Sequence, residues 1–273
     1  MELTERVAII GGTRIYTIPG IDFESREVET PFGTALVSLG RGDYAGLVFL
    51  ARHGPEHRTP PHRINYRANL KVLQMLGVRQ IVATNAVGSI NRAIPPRGLA
   101  LLDDFLDFTS GRAQTFYEGG AAGLAHALMN RPYCSVLRQR LLALAPEFEL
   151  NLYPTATYVA TNGPRFESPA EIRMYANLGA DVVGMTGVPE VVLARELGIH
   201  YAAIAFSVNW AAGIEESIVL VREGMEAIQQ QMLALMLRVL RLSPQSGCDC
   251  ESGLLTIHAP SDAFEQSASA ERR

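Results

Sequence analysis

Glu167, in Asn162-Gly-Pro-Arg-Phe-Glu-Ser168, and Asn209, in Phe206-Ser-Val-Asn-Trp210, are residue types that together can read the edge of a 6-oxopurine. A carboxylate accepts the ring N–H of such a base, and a carboxamide can contact its carbonyl and the neighbouring ring nitrogen at once. An adenine ring has no proton on that nitrogen and would meet the carboxylate unfavourably.

Four further segments carry groups suited to an anion or a sugar. Ile9-Ile-Gly-Gly-Thr13 leads an apolar run into a glycine turn and a hydroxyl, where backbone N–H groups can close on an anion. A plain tight turn accounts for the same residues, and the segment has neither the G-x-G-x-x-G spacing nor a Walker lysine. In Ala51-Arg-His-Gly-Pro-Glu-His57, Arg52 can hold phosphate by paired N–H bonds and His53 can add a donor. A surface Arg/His cluster is the alternative reading. His53, His57 and His62 match no zinc-ligand spacing, which argues against a metal there. Thr84-Asn-Ala-Val-Gly-Ser89 ends a strand in small and polar residues, where a ligand can approach the backbone or a plain loop can run. In Val183-Gly-Met-Thr-Gly-Val-Pro-Glu190, Met185 suits a sugar face or simply the core, and Thr186 offers a hydroxyl.

The elements that must position these residues read as alternating strands and helices. Short β-rich runs at Val7–Ile10, Gly46–Ala51, Gln80–Thr84, Leu99–Asp103, Ala156–Ala160, Asp181–Gly184 and Tyr201–Phe206 predict buried strands. Helical spacing over Asn65–Leu76, Ser135–Leu144, Pro169–Leu178 and Pro189–Leu197 predicts the intervening helices, and Gly77, Gly179 and Gly198 stand where three of them should stop. A last helix is expected over Glu223–Leu242. The expected fold is a three-layer α/β domain over residues 1–242, with residues 243–273 as a flexible tail.

The 273 residues are 48% hydrophobic and 19% charged with a net charge of −4, which argues against a broad surface for nucleic acid or anionic membrane and for a small-molecule partner. No apolar stretch approaches the ~20 residues that span a bilayer, and the first residues, Met1-Glu-Leu-Thr-Glu-Arg6, lack a signal core, so a cytoplasmic location is expected. The three cysteines, Cys134, Cys248 and Cys250, make no disulfide framework and no four-ligand zinc set. Cys248-Asp-Cys250 reads as an incidental pair in a mobile segment, with a redox or metal element as the alternative.

Taken in order, these segments resemble the purine nucleoside phosphorylase and 5′-methylthioadenosine phosphorylase family over residues 7 to about 240, most specifically from Ala51-Arg-His-Gly through Asn65-Tyr-Arg-Ala-Asn69 to Thr84-Asn-Ala-Val-Gly-Ser89. The resemblance implies a mixed sheet flanked by helices, a homotrimer, and phosphorolysis of a purine nucleoside with phosphate as co-substrate and no metal or organic cofactor. It implies phosphate binding by Thr13, Arg52, His53, Asn85, Ala86 and Thr186, with Met185 and His57 on the sugar side. It also implies Phe166 beside the base, Glu167 and Asn209 as the base-reading pair, and His126 reaching a neighbouring subunit's sugar site. Asn209, Glu167 and Arg52 would carry the catalysis.

The adenine-specific branch has an aspartate where this chain has Ala211. Inosine-preferring members commonly place a histidine after Asn209 for the ribose 5′-hydroxyl, whereas Ala211–Val221 has none. An apolar 5′ pocket, from side chains such as Ile218 or Val221, is therefore expected, and the chain looks most like the 5′-methylthioinosine phosphorylases of that family. The rival readings are a methylthioadenosine phosphorylase, a hydrolytic nucleosidase and a non-catalytic nucleoside-binding protein. One departure stands out: Arg14 occupies a position that is usually glycine. It would narrow the phosphate pocket, add a cation to the anion, or point into solvent.

Overall fold

The computed structural model describes residues 5–119, 123–221, 223–242 and 247–257. Its elements are, in chain order, β1 (Arg6–Gly11), β2 (Phe23–Thr30), β3 (Gly33–Gly40), β4 (Leu47–Ala51), α1 (Tyr66–Met75), β5 (Val78–Ser89), β6 (Leu99–Asp107), β7 (Leu124–Ala127), α2 (Ser135–Leu144), β8 (Leu152–Ala160), α3 (Pro169–Asn177), β9 (Val182–Gly184), α4 (Gly187–Glu196), β10 (His200–Trp210), α5 (Met225–Leu240) and β11 (Leu254–Ile257).

Nine strands form one mixed sheet in the order β10-β6-β8-β9-β5-β1-β4-β3-β2, and β10 also pairs with β5. Strands β5, β10, β6, β8 and β9 thereby close into a ring, and the other four extend from β5 as an open wing. Because β1, β4, β5 and β10 are parallel, their carboxyl ends open on one side of the sheet, the side where α/β folds bind ligands.

Strand alternation divides the core between the two faces of the sheet. Ala8 and Ile10 of β1, with Tyr201, Ala203 and Ala205 of β10, pack under α1 and α4, while Val7, Ile9, Ala202, Ile204 and Phe206 pack under α2 and α5. A smaller cluster seats Ile172 and Tyr175 of α3 on Val159 and Val183. The three-layer α/β expectation therefore holds.

Local chemistry explains the helix limits. Asn65 caps α1 by accepting from the Ala68 N–H at 3.1 Å. Ser168 and Glu171 form a reciprocal capping box on α3, with Pro169 opening the helix. Gly77, Gly179 and Gly198, just beyond α1, α3 and α4, all have positive φ.

Three features differ from the sequence reading. Strand β5 runs on to Ser89 rather than stopping at Thr84, because its polar tip pairs with β10 and β9. The β2–β3 hairpin went unread because Phe23–Thr30 is mostly polar and exposed, as an edge strand is. Residues 247–257, expected to belong to a flexible tail, are instead packed: β11 pairs antiparallel with β7, and Asp249 forms an ion pair with the buried Arg195 at 2.9 Å. Too few apolar residues stand there to form a periodic pattern, so the order comes from distant partners. The rest of that expected tail, 243–246 and 258–273, lies outside the described residues.

A tight contact on β9 yields a test of packing. A Cβ on Gly184 would lie 2.6 Å from the Tyr158 hydroxyl and 2.9 Å from its ring, and Tyr158 is fully buried. Gly184→Ala is expected to cost about 1–3 kcal/mol through this overpacking, read as a lower urea midpoint at unchanged m-value.

Candidate functional site

A cavity of about 430 Å³ opens at the shared carboxyl ends of β1, β4, β5 and β10. Thr13, Arg52, His53, His57, Ala86, Phe166, Glu167, Met185, Thr186 and Asn209 all line it, so ten of the twelve expected site residues share one space. Asn85 stands behind the wall and donates to the Thr186 hydroxyl at 3.2 Å, and its own buried carbonyl oxygen has no partner among the described residues. His126 is exposed on β7 and does not line the cavity.

Glu167 and Asn209 are each held by one hydrogen bond and keep spare capacity. The Thr161 hydroxyl donates to Glu167 Oε1 at 2.7 Å, which leaves Oε2 as a free acceptor. Asn209 Nδ2 donates to the Trp210 carbonyl at 2.7 Å, which leaves a second N–H and the amide oxygen. Both side chains are buried, Glu167 at 9% exposure and Asn209 at 2%. Gly88 of β5 leaves close space beside Asn209, since a Cβ there would lie 3.1 Å from Nδ2.

The cationic end is built differently from the sequence expectation. Arg52 has a side chain with 0% exposure, and its Nε and Nη2 pair with both oxygens of Glu190 at 2.7 Å each. Nη1 donates to the Thr84 carbonyl at 2.8 Å. Three of the five guanidinium N–H groups are therefore committed, leaving one on each terminal nitrogen. Burial alone would push the Arg52 charge off, but the Glu190 carboxylate outweighs it and holds the guanidinium above its ordinary value. The Tyr201 hydroxyl donates to the same carboxylate at 2.7 Å.

His53 sits beside this pair with Nδ1 2.9 Å from the Thr59 carbonyl. A carbonyl only accepts, so Nδ1 carries the proton and the neutral ring keeps Nε2 as an acceptor. Burial pushes the His53 ring down to about 4, against the pull of the Thr59 bond and with help from Arg52 and His57. An acceptor nitrogen next to a cation suits an anion that still carries a proton, such as monohydrogen phosphate. The glycine turn contributes less than expected, because the Gly12 N–H is already bonded to the Thr84 hydroxyl at 2.9 Å.

Several residues that organise the site carried no local signal. Arg112 donates to the carbonyls of Thr161, Asn162, Met185 and Val188 at 2.5–3.2 Å, clamping the Glu167 loop to the Met185–Thr186 turn. The Tyr158 hydroxyl accepts from the Thr186 and Gly187 N–H groups at 3.0 and 3.2 Å. On the apolar wall, Ile218 lines the cavity as expected, but Leu220 takes the place expected of Val221, which is turned away with its N–H on the Val208 carbonyl at 2.7 Å.

Arg14 adopts φ +69°, the left-handed conformation that its family position implies for glycine, and does not line the cavity. No described residue accepts a hydrogen bond from its guanidinium. Arg14→Gly is expected to raise stability by up to about 1 kcal/mol through relief of this strain, measured by urea unfolding. His53 supplies a pH test. Its ring binds protons more readily unfolded, near 6.5, than folded, near 4, so stability is fully present above pH 6.5 and falls as pH drops toward 4. The loss is expected to reach at most about 3 kcal/mol and to be absent in His53→Gln, as read from urea midpoints across that window.

The profile of the Phosphorylase superfamily matches residues 6–241. The chain is 43% identical over 251 residues to a probable 6-oxopurine nucleoside phosphorylase from Moorella thermoacetica, covering 90% of this chain and 96% of that protein. It is 44% identical over 254 residues to a probable S-methyl-5′-thioinosine phosphorylase from Methanopyrus kandleri, covering 91% and 97%. Among solved structures, a double mutant of the adenosine/methylthioadenosine phosphorylase from Schistosoma mansoni in complex with adenine aligns with a TM-score of 0.80 at 33% identity, covering 86% of this chain and 91% of that one. Matched along nearly its whole β1–α5 span, with its expected site residues gathered at one set of strand ends, this chain belongs to the phosphorylase superfamily.

Proposed function

We propose that the chain catalyses phosphorolysis of a 6-oxopurine nucleoside to the free base and a pentose 1-phosphate, with S-methyl-5′-thioinosine as the preferred nucleoside. The observation that carries this reading is that Glu167 and Asn209 share one cavity with Thr13, Arg52, His53 and Thr186, so a base and an anion fit on either side of a sugar. Relatives named as 6-oxopurine nucleoside phosphorylases and S-methyl-5′-thioinosine phosphorylases support it.

Phosphate rests on the hydroxyls of Thr13 and Thr186, the Ala86 backbone and His53, above the buried positive charge of Arg52, with Asn85 holding the Thr186 hydroxyl. As the glycosidic bond lengthens, the sugar gains oxocarbenium character and the adjacent anion stabilises it before bonding to the anomeric carbon. The departing electrons move into the purine. The spare Asn209 N–H strengthens its bond to the base as that charge grows, and Glu167 Oε2 holds the ring N–H at the other edge. Met185, Phe166 and His57 exclude water around the sugar and base. No protein nucleophile and no cofactor is required.

The choice of base follows from Glu167 and Asn209, and the choice of sugar from Ile218 and Leu220 on the cavity wall. An apolar wall rewards a methylthio group over a hydroxyl by about 1–3 kcal/mol. The solved neighbour holds adenine, so methylthioadenosine is the competing substrate. The absence of an aspartate at Ala211, which lines the cavity here, favours the oxopurine. We also infer a homotrimer, with exposed His126 offered to a neighbouring subunit and the exposed apolar Phe166, Ile218, Val219 and Leu220 covered by it. A cytoplasmic location fits the free thiols and the phosphate co-substrate.

Base release from methylthioinosine, inosine and methylthioadenosine, each with and without phosphate, tests the reaction. Release that needs no phosphate would identify a hydrolase, and purine binding without release a non-catalytic protein. Glu167→Ala is expected to lose ~2–4 kcal/mol of kcat/KM on the oxopurine nucleosides. Asn209→Asp should move preference toward 6-aminopurines. A wild-type enzyme that already prefers methylthioadenosine by a wide margin would overturn the base assignment.

A further inference from the structure

Strand β10 carries Asn209 near its carboxyl end at the nucleoside cavity and begins in His200 at a second cluster of reactive side chains. Cys134 immediately precedes α2, and Cys248 and Cys250 flank Asp249 in the segment leading to β11. The three sulfurs and a ring nitrogen of His200 all lie within 4.8 Å of one another. His200 Nδ1 is 3.2 Å from Cys248 Sγ and 3.6 Å from Cys134 Sγ. None of the four residues lines the nucleoside cavity. Cys248-Asp-Cys250, expected as a pair in a mobile segment, instead lies in the packed segment before β11, beside Cys134 and His200, which are distant in the chain.

A tetrahedral zinc centre has Zn–S near 2.3 Å and Zn–N near 2.0–2.1 Å, which sets its donor atoms roughly 3.5–3.8 Å apart. The cluster meets that requirement with a small inward movement. Its surroundings are built as well. Cys134 and Cys250 are 2% exposed, so two of the donors are out of water, while His200 and Cys248 are half-buried. On the far side of the imidazole, His200 Nε2 lies 4.0 Å from a Glu251 carboxylate oxygen, beyond hydrogen-bond distance but on the side where a carboxylate orients a metal-bound histidine once it closes. Asp249 is held between the two cysteines by Arg195, which also donates to the Leu128 carbonyl at 3.1 Å.

We propose that Cys134, His200, Cys248 and Cys250 form a Cys3His site for a tetrahedral, thiophilic divalent ion, zinc by its donor set. Coordination releases the thiol protons to solvent and changes no oxidation state. The ion ties the C-terminal segment to the first residue of β10 and the start of α2, and so secures the β11–β7 pair. Its role is structural, because four protein donors leave no open position.

The test uses the full chain, purified in a thiol reductant, stripped with a chelator and titrated with Co²⁺ and then Zn²⁺. One Co²⁺ per chain is expected, with the visible absorption of tetrahedral cobalt–thiolate, displaced by one Zn²⁺ that raises Tm. Cys248→Ser and His200→Ala should each weaken binding by about 100-fold or more, and Glu251→Gln by about 10-fold. Wild-type protein that gives no tetrahedral spectrum while all three thiols remain titratable would overturn the site. So would a reductant-sensitive loss of two hydrogens from the native mass, marking a Cys248–Cys250 disulfide, with no metal taken up after reduction. The wild-type spectrum decides even where a variant fails to fold, and none of these readouts depends on nucleoside turnover.

Discussion

The buried pair between Arg52 and Glu190 is the constraint on which the site depends. Neither side chain has any exposure, and the two close a bidentate contact at 2.7 Å across 138 residues of sequence. A pair so placed is costly to desolvate, and its net contribution to stability is modest. Removing one partner would leave an uncompensated charge in the core, at about 3–5 kcal/mol. Its geometric effect is larger than its energetic one. Through Glu190 it joins α4 to β10 at Tyr201, and through the Thr84 carbonyl it joins the end of β4 to β5.

The same pair explains the character of the anion end. A guanidinium committed on three N–H groups keeps only one on each terminal nitrogen, so its larger effect is the positive potential it brings to the cavity wall. The other polar groups at that end are neutral: the hydroxyls of Thr13 and Thr186, and His53 with its acceptor nitrogen. At the base end the logic is similar, since Thr161 and the Trp210 carbonyl each consume one hydrogen-bonding position and so orient the groups that remain.

Between the two ends, Arg112 and Tyr158 keep the parts in register. Arg112 gathers carbonyls from both sides of the cavity, and Tyr158 packs so closely beneath Gly184 and Gly187 that neither position has room for a side chain. The two ends of the cavity thus share one support. Strand β10 runs from that support to its own first residue, His200, where the three thiols meet.

Much of this was legible in the residues themselves. Period-2 and period-3.6 patterns, capping residues and glycine stops are local signals, and they located seven of the sheet strands and all five helices. The chemical identities of Glu167 and Asn209 suit a base's edge because donors and acceptors are properties of single side chains, whereas at Thr13 a plain turn fitted the same residues and only the resemblance implied an anion. What only the tertiary structure decided was partnership. Nothing near Arg52 names Glu190, nothing near Ser110-Gly-Arg112 names the four carbonyls it clamps, and nothing in Cys248-Asp-Cys250 names Cys134 or His200. Edge strands such as β2 escape for a related reason: their exposed face has no apolar pattern to read, and their pairing is settled by the neighbour the sheet supplies. Local sequence fixes what a residue can bond to, whereas the closing of β10 onto both β5 and β6 determines what it meets.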